Sequence, residues 1–288
     1  MKLIRLLNDV PEWAKLFLMH FIYAAGVVGV VITIVAAAKD HPDIGLKWLM
    51  LGCSLVCVIY ALVRVWPTTS VTIYLAPRKK VKLIQGDLFE QNGILLIPVN
   101  NYFDMTTERD VIGPSVHYQF IKRYVEIPTN CIENINQKIS STLQTDGVTP
   151  KTVNNARQFP DNHDAYELGT TARLFENGKT FYLSVVSEFD DHNHIIPQPE
   201  KFGYIFQSIL KNINCYRSGH DVYMPVIGSG LLNMPMDIEE LIGFMLDNIK
   251  FSDYNSTVGC IYIVVRKEDM NRLSFRSIQN RKSSILNM

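Results

Sequence analysis

No excess charge of either sign marks this chain: 28 Lys and Arg balance 28 Asp and Glu over 288 residues. Recognition of a phosphate backbone needs a basic surface, so the global balance gives no support to nucleic-acid binding, and no nucleic-acid partner is expected. Cysteine is sparse and unpatterned. Cys53, Cys57, Cys131, Cys215 and Cys260 include no Cys-x-x-Cys pair, which excludes a zinc ribbon; an odd count without a framework fits a reducing compartment. Charge is missing altogether from one long run, Leu16 to Ala38, bounded by Lys15 and Lys39. That is too long for the apolar part of a signal peptide, which spans about 7–15 residues.

What is present at the front is two apolar segments. Crossing a bilayer takes about 20 apolar residues in a helix, and the first run meets that length. The second extends from about Ile44 to Trp66, with Lys47 and Arg64 near its ends; it crosses if those two side chains snorkel to the headgroups. Spans at about 16–38 and 45–66 predict an N-terminal transmembrane helical hairpin over residues 1–70. A buried helix pair in a soluble protein would need a large apolar partner surface, which the chain does not offer. Lys2, Arg5 and Lys15 precede the first span, and Arg64, Arg78, Lys79, Lys80 and Lys82 follow the second. The positive-inside rule then places both termini in the cytoplasm. Trp13, Trp48 and Trp66 lie near the segment ends, where aromatic rings prefer the interface. Ala25/Gly29 and Cys53/Cys57 are small-residue pairs four apart, a spacing that permits close helix contact. His20, five residues from Lys15, reads as interfacial.

The remaining 220 or so residues suffice for one domain with a sizeable core. A short Pro67-Thr68-Thr69-Ser70 linker runs into the β-branched stretch Val71–Leu75. Val81–Ile84, Ile94–Val99, Phe181–Val186, Val222–Ile227 and Cys260–Val265 are further strand candidates, several of them continuous apolar runs of the kind buried on both faces. Helical patterns lie between, at Ser115 to about Tyr124, Ile132–Leu143, Pro199–Asn214 and Met236–Lys250. Alternation of this sort predicts a mixed sheet with helices on both faces, over residues 71–275, followed by a basic tail at 276–288. The tail, with Arg281 and Lys282, reads equally as a peripheral helix touching anionic lipid and as a frayed end.

In such sheets ligands bind beyond the carboxyl ends of the strands. The loop Gly228-Ser229-Gly230-Leu231-Leu232 follows one strand and presents backbone N–H groups suited to an anion. Gly86-Asp87-Leu88 follows an earlier strand, and Val99-Asn100-Asn101 ends the next. Asp87 alone reads as a turn residue. Glu188-Phe189-Asp190-Asp191-His192-Asn193-His194 is a polar loop open to three readings: a solvated acidic loop, a recognition loop, or a divalent-metal site, for which no third ligand stands out. Asp161-Asn162-His163-Asp164 is a similar loop. No metal and no cofactor are expected.

Together, the Gly86-Asp87 turn, the Val99-Asn100-Asn101 stretch and the late Gly228-Ser229-Gly230 loop resemble the macro domain family, over about Val81 to Val265. The resemblance implies a three-layer α/β/α fold and an ADP-ribose-type ligand. It implies that Asp87 accepts a hydrogen bond from the adenine amino group beside the Leu88 backbone. Asn100 or Asn101 would approach the distal ribose, and Gly228, Ser229, Gly230, Leu231 and Leu232 would wrap the diphosphate. Catalytic members carry a glycine-rich stretch after the asparagine loop. This chain has Thr106 to Ser115 there, with Gly113 its single glycine, and Ser115 closes that stretch as a further ligand candidate. The asparagine loop is also contracted. Both departures imply binding without turnover. Asp190, Asp191, His192 and His194 form a candidate specificity loop.

A two-span hairpin joined to a macro-like domain resembles the membrane-anchored effectors of type II Thoeris antiphage systems. That resemblance implies a nucleotide signal, a histidine–ADP-ribose conjugate, made by a TIR-domain enzyme. It also implies homo-oligomerisation, contact with lipid, a bacterial inner-membrane location, and disruption of that membrane in abortive infection.

Overall fold

The computed structural model describes residues 12–37, 44–65, 69–107, 115–127, 131–157, 162–230, 232, 234–273 and 278. They fall into two compact units, Met1–Thr68 and Thr69–Met288.

The first unit is two helices, α1 (Glu12–Ala37) and α2 (Ile44–Val65), of 26 and 22 residues. They run antiparallel, since His20 early in α1 meets Tyr60 late in α2, ring centroids 6.4 Å apart and nearly perpendicular. Cys57 and Ala61, one turn apart, are buried. The small-residue expectation is corrected at one pair: Gly29 is exposed and a Cβ there would meet nothing within 4 Å, so no close helix approach is built on it. Leu18, Ile22, Val27, Val30, Leu51, Leu55, Val56 and Val63 are exposed. Several side chains of both helices lie outside the described residues, and counted on the described residues alone no helix is long and apolar enough to cross a membrane. The loop at 38–43 and the linker at 66–68 lie outside them too.

The second unit is built on a mixed sheet. Its strands are β1 (Ser70–Ala76), β2 (Lys79–Gln85), β3 (Ile94–Asn100), β6 (Thr171–Glu176), β7 (Lys179–Phe189), β8 (Ile195–Ile196), β9 (Val222–Pro225) and β10 (Ile261–Val265); β4 (Thr152–Val153) and β5 (Asp164–Ala165) form a separate pair. The order is β1-β2-β10-β9-β3-β7-β6, with β8 beside β7. β2, β10, β9, β3 and β7 are mutually parallel, while β1, β6 and β8 pair antiparallel at the margins. β3 sits centrally and is buried almost throughout, as its unbroken apolar run requires.

Two features depart from the expected elements. β6 and the long β7 form a hairpin whose turn, Asn177-Gly178, has both φ values positive, at 49° and 76°. This is the mirror-image turn that matches strand twist. β9 ends at Pro225, so Val226 and Ile227 leave the sheet.

Helices α3 (Val116–Phe120), α4 (Ile132–Thr145), α5 (Phe202–Tyr216) and α6 (Ile238–Phe251) complete the unit. The helix expected to Tyr124 continues after Phe120 as one widened turn, Ile121–Val125. Phe120 and Tyr124 meet Phe181 of β7 at 4.9 and 4.7 Å between centroids. Ser184, three residues on and therefore on the opposite face, bonds Thr171, whose hydroxyl also receives the Asn212 amide of α5. Helices thus cover both faces, giving three layers. Of the tail beyond 273 only Ile278 is described; isolated in sequence, it is buried in the core.

Candidate functional site

A cleft of about 780 Å³ opens at the carboxyl ends of the parallel strands, and each contributes a wall residue: Gln85, Val264, Pro225, Asn100 and Ser187. The place is where crossover topology leaves strand ends uncovered. Gly86, Asp87, Leu88, Ser115, Gly228, Ser229, Gly230 and Leu232 also line it. Leu231 and residues 108–114 lie outside the described residues.

One end of the cleft is the turn after β2. Asp87 Oδ1 accepts the Phe89 N–H at 2.9 Å, capping the short turn Leu88–Glu90. Its Oδ2 accepts from Arg123 Nη1 at 2.9 Å, and the Arg123 guanidinium stands 4.6 Å from the Phe89 ring centre. Both partners of this ion pair are substantially exposed, at 42% for Arg123 and 33% for Asp87.

The floor is different. Asn100 is buried and its amide is occupied: Oδ1 accepts the N–H groups of Tyr102 and Asp104, and Nδ2 donates to Asp104 Oδ2 at 2.7 Å. Asp104 in turn takes a two-pronged contact from Arg157, Nη1 to Oδ1 at 2.8 Å and Nη2 to Oδ2 at 2.6 Å, with both side chains 0% exposed. Arg157 also donates to the Asn162 carbonyl and to Asn193 Oδ1, and stacks 3.9 Å from the Tyr102 ring centre. Asn101 does not line the cleft; it is buried and its Oδ1 accepts the Phe189 N–H at 2.9 Å, tying the end of β3 to β7. The two asparagines therefore shape the floor through the protein's own hydrogen bonds.

The glycine loop is shaped by space. Gly228 has φ +96°, and a Cβ there would stand 3.0 Å from both Leu241 and Met234 side chains. Ser229 Oγ donates to the Val226 carbonyl at 2.8 Å. At Gly230 a Cβ would meet nothing within 4 Å. Among the described residues the N–H groups of Gly228, Ser229 and Gly230 have no backbone acceptor. The helix after this loop begins at Ile238, not Met236, and its first turn is closed by the reciprocal Asp237–Glu240 capping box. Two carboxylates already answer that helix terminus, so an anion cradle here is made by loop N–H groups, not by the helix.

The loop after β7 turns elsewhere. Phe189 and Ile195 line the cleft, but Asp190, Asp191, His192 and His194 do not. Asp190 Oδ1 accepts the N–H groups of His192 and His194, both at 2.8 Å. The bond to the His194 N–H is the main force holding the Asp190 carboxyl below its ordinary range. Asp191 accepts from Asn154 Nδ2, and the His192 and His194 rings stand 6.3 Å apart. Among the described residues no three His, Cys, Asp or Glu side chains are grouped to hold a metal. Asp161 of the companion loop lies outside those residues.

Residues missed in sequence complete the wall. Arg266 and Lys267, just beyond β10, line the cleft beside Glu268 and Asp269, and Arg266 pairs with Asp269 at 2.9 Å. Their charges largely cancel, which leaves backbone N–H groups as the natural anion donors. His117 of α3 also lines the cleft. Burial pushes its imidazole down to about 3, against the opposing pull of a bond to the Asp104 backbone. Its Nε2 is buried and has no hydrogen-bond partner among the described residues. A lone His between Val116 and Tyr118 carries no sequence signal for this placement.

A family model described as Thoeris protein ThsA, Macro domain, matches residues 81–266. No curated protein matches the sequence. Among solved structures, the chain is similar to an Oceanobacillus iheyensis macrodomain with ADP, at 14% identity and TM-score 0.46, over 75% of this chain and 96% of that one. It is also similar to a Trypanosoma brucei macrodomain in complex with ADP-ribose, at 8% and 0.41, over 70% and 68%. A third is the macrodomain of Mycobacterium tuberculosis DarG, at 14% and 0.34, over 62% and 96%.

Proposed function

With residues 81–266 of its 288 matched, the chain belongs to the Thoeris ThsA macro-domain family, and from that premise we propose that it is a membrane-tethered receptor for an ADP-ribose-derived nucleotide. The signal is made by a TIR-domain enzyme; in the type II arrangement it is a histidine–ADP-ribose conjugate. The observation that carries the reading is one cleft with a partly exposed carboxylate, Asp87, and a glycine loop whose N–H groups at Gly228–Gly230 meet no backbone acceptor among the described residues. A carboxylate accepts from an exocyclic amine. N–H groups in a turn donate to phosphate oxygens without adding positive side chains. The cleft volume falls in the range of small-molecule sites.

The effector step follows from the tether. The apolar faces of α1 and α2 sit in the bacterial inner membrane with both termini cytoplasmic. Ligand orders the cleft loops and favours an assembled state by its differential affinity for that state. Confinement to two dimensions raises the effective concentration of the tethered domains, so modest contacts suffice to cluster the hairpins and break the lipid barrier. The locked Asn100 amide favours sensing over turnover.

Calorimetry of the full-length protein with ADP-ribose and its histidine conjugate, paired with dye release from phosphatidylethanolamine–phosphatidylglycerol vesicles, tests both halves. Binding and ligand-dependent release are expected, with both lost in Gly230→Glu at an unchanged melting temperature. A protein that ignores every ADP-ribose derivative overturns the receptor reading, and leakage that survives loss of binding overturns the coupling. Release of ADP-ribose from a modified protein substrate would make it a hydrolase.

A further inference from the structure

Four buried side-chain atoms lack a hydrogen-bond partner among the described residues: His117 Nε2, Arg173 Nε, Gln198 Oε1 and Asn214 Oδ1. Of these residues only His117 belongs to the cleft wall, and it is 4% exposed. Its other ring nitrogen is committed. The bond to the Asp104 backbone favours the protonated ring, so the backbone group is the carbonyl and Nδ1–H is the donor. In a neutral ring that leaves Nε2 with a lone pair and no proton. Asn100, which also lines this floor, has spent its amide on Asp104, Tyr102 and the turn.

We propose that His117 Nε2 accepts a hydrogen bond from a sugar hydroxyl of the ligand, selecting a nucleotide that carries a second ribose over one that ends in phosphate. The assignment rests on the nucleotide reading given above. A bare acceptor takes a donor and repels phosphate oxygens. The cleft is thereby divided by chemistry: the glycine loop takes the charged oxygens, and the imidazole takes the hydroxyl. Sequence assigns this position no role, because neither the neutral state nor the orientation of the ring is visible without its neighbours.

The test is calorimetry on the full-length protein with ADP-ribose and with ADP. His117→Asn keeps an amide donor near the Nδ1 position and removes the Nε2 acceptor. About a tenfold loss of ADP-ribose affinity is expected, with less than about a twofold change for ADP, since one hydrogen bond is at stake. Deoxy analogues of the distal ribose, measured on the wild-type protein, give the same answer without any substitution: one of them loses about tenfold. Equal losses of both nucleotides in the variant, or full affinity for every deoxy analogue, overturn the assignment while the nucleotide reading stands. A wild-type protein that binds neither nucleotide removes that reading, and this assignment with it.

Discussion

Two aspartate–arginine pairs behave as opposites: Asp87 of one lines the cleft, and Asp104 of the other holds the Asn100 that does. Asp104–Arg157 is sealed, with both side chains at 0% exposure and every guanidinium edge engaged by Asp104, Asn162 or Asn193. Asp87–Arg123 stands in solvent at 33% and 42%. A sealed pair that loses one member leaves a charge in a medium that cannot hydrate it. An exposed pair gains little from its attraction, because water screens it and two side chains must be ordered. Identical chemistry thus supplies a rigid floor at one end and an exchangeable rim at the other. On the proposed reading a ligand amine replaces Arg123 on Asp87 at small cost, whereas the buried Asp104 keeps Arg157.

The contrast breaks most directly at its strong end. Arg157→Met should destabilise the second unit by about 3–5 kcal/mol, read by denaturant unfolding of the full-length protein. The double variant Arg157→Met, Asp104→Leu should recover part of that loss. A single variant costing under about 1 kcal/mol would show the floor pair to be no different from a surface one.

The glycine loop carries the same closed-versus-open contrast. Gly228→Ala forces a left-handed φ on a residue with a Cβ and crowds Leu241 and Met234, for an expected cost of about 2 kcal/mol. Gly230→Ala, with open space around it, should change stability by less than about 0.5 kcal/mol while weakening nucleotide binding. Equal melting temperatures for the two would erase the distinction.

His117 sharpens the comparison through pH. Burial holds its imidazole at about 3 in the folded chain, below its ordinary value of 6.5. Between those values the unfolded chain binds a proton that the folded chain does not. Its contribution is therefore complete above pH 6.5 and is lost as pH falls toward 3, at roughly 1.4 kcal/mol per pH unit. His117→Asn should flatten the stability profile in that window, and an unchanged slope would assign the acid loss to other groups.

The smallest effect is expected at the rim. Arg123→Ala should alter stability by no more than about 1 kcal/mol and leave nucleotide affinity undiminished, since the Asp87 carboxylate loses a competitor. A large loss of affinity would mean that Arg123 itself holds the ligand.

Much of the scaffold was legible. The apolar run Ile94–Val99 marked the central strand because a strand buried on both faces admits no alternation. Gly86-Asp87 and Gly228–Gly230 were found because turns at strand ends need these residue types, and both reach the cleft. Asn177-Gly178 is equally legible as a hairpin turn, and it is what adds β6 to the expected strands. Asn101, Asp190 and Asp191 carry polar groups that suit a ligand, yet their bonds turn to Phe189, to their own loop and to Asn154, and away from the cleft. Polarity marks a loop without saying where it points.

By itself, then, the order of residues determined what is local: two long apolar helices, the strands and their turns, and a glycine-bearing loop at a strand end. Those follow from periodicity and backbone sterics over a few residues. The tertiary structure alone decided that Arg157 would be sealed between Asp104, Asn162 and Asn193, 53, 5 and 36 positions away, and that His117 would be buried with one nitrogen unpartnered among the described residues. Burial and pairing depend on which distant segments the fold brings together, and the free energy of a charge or a lone pair is set by those neighbours.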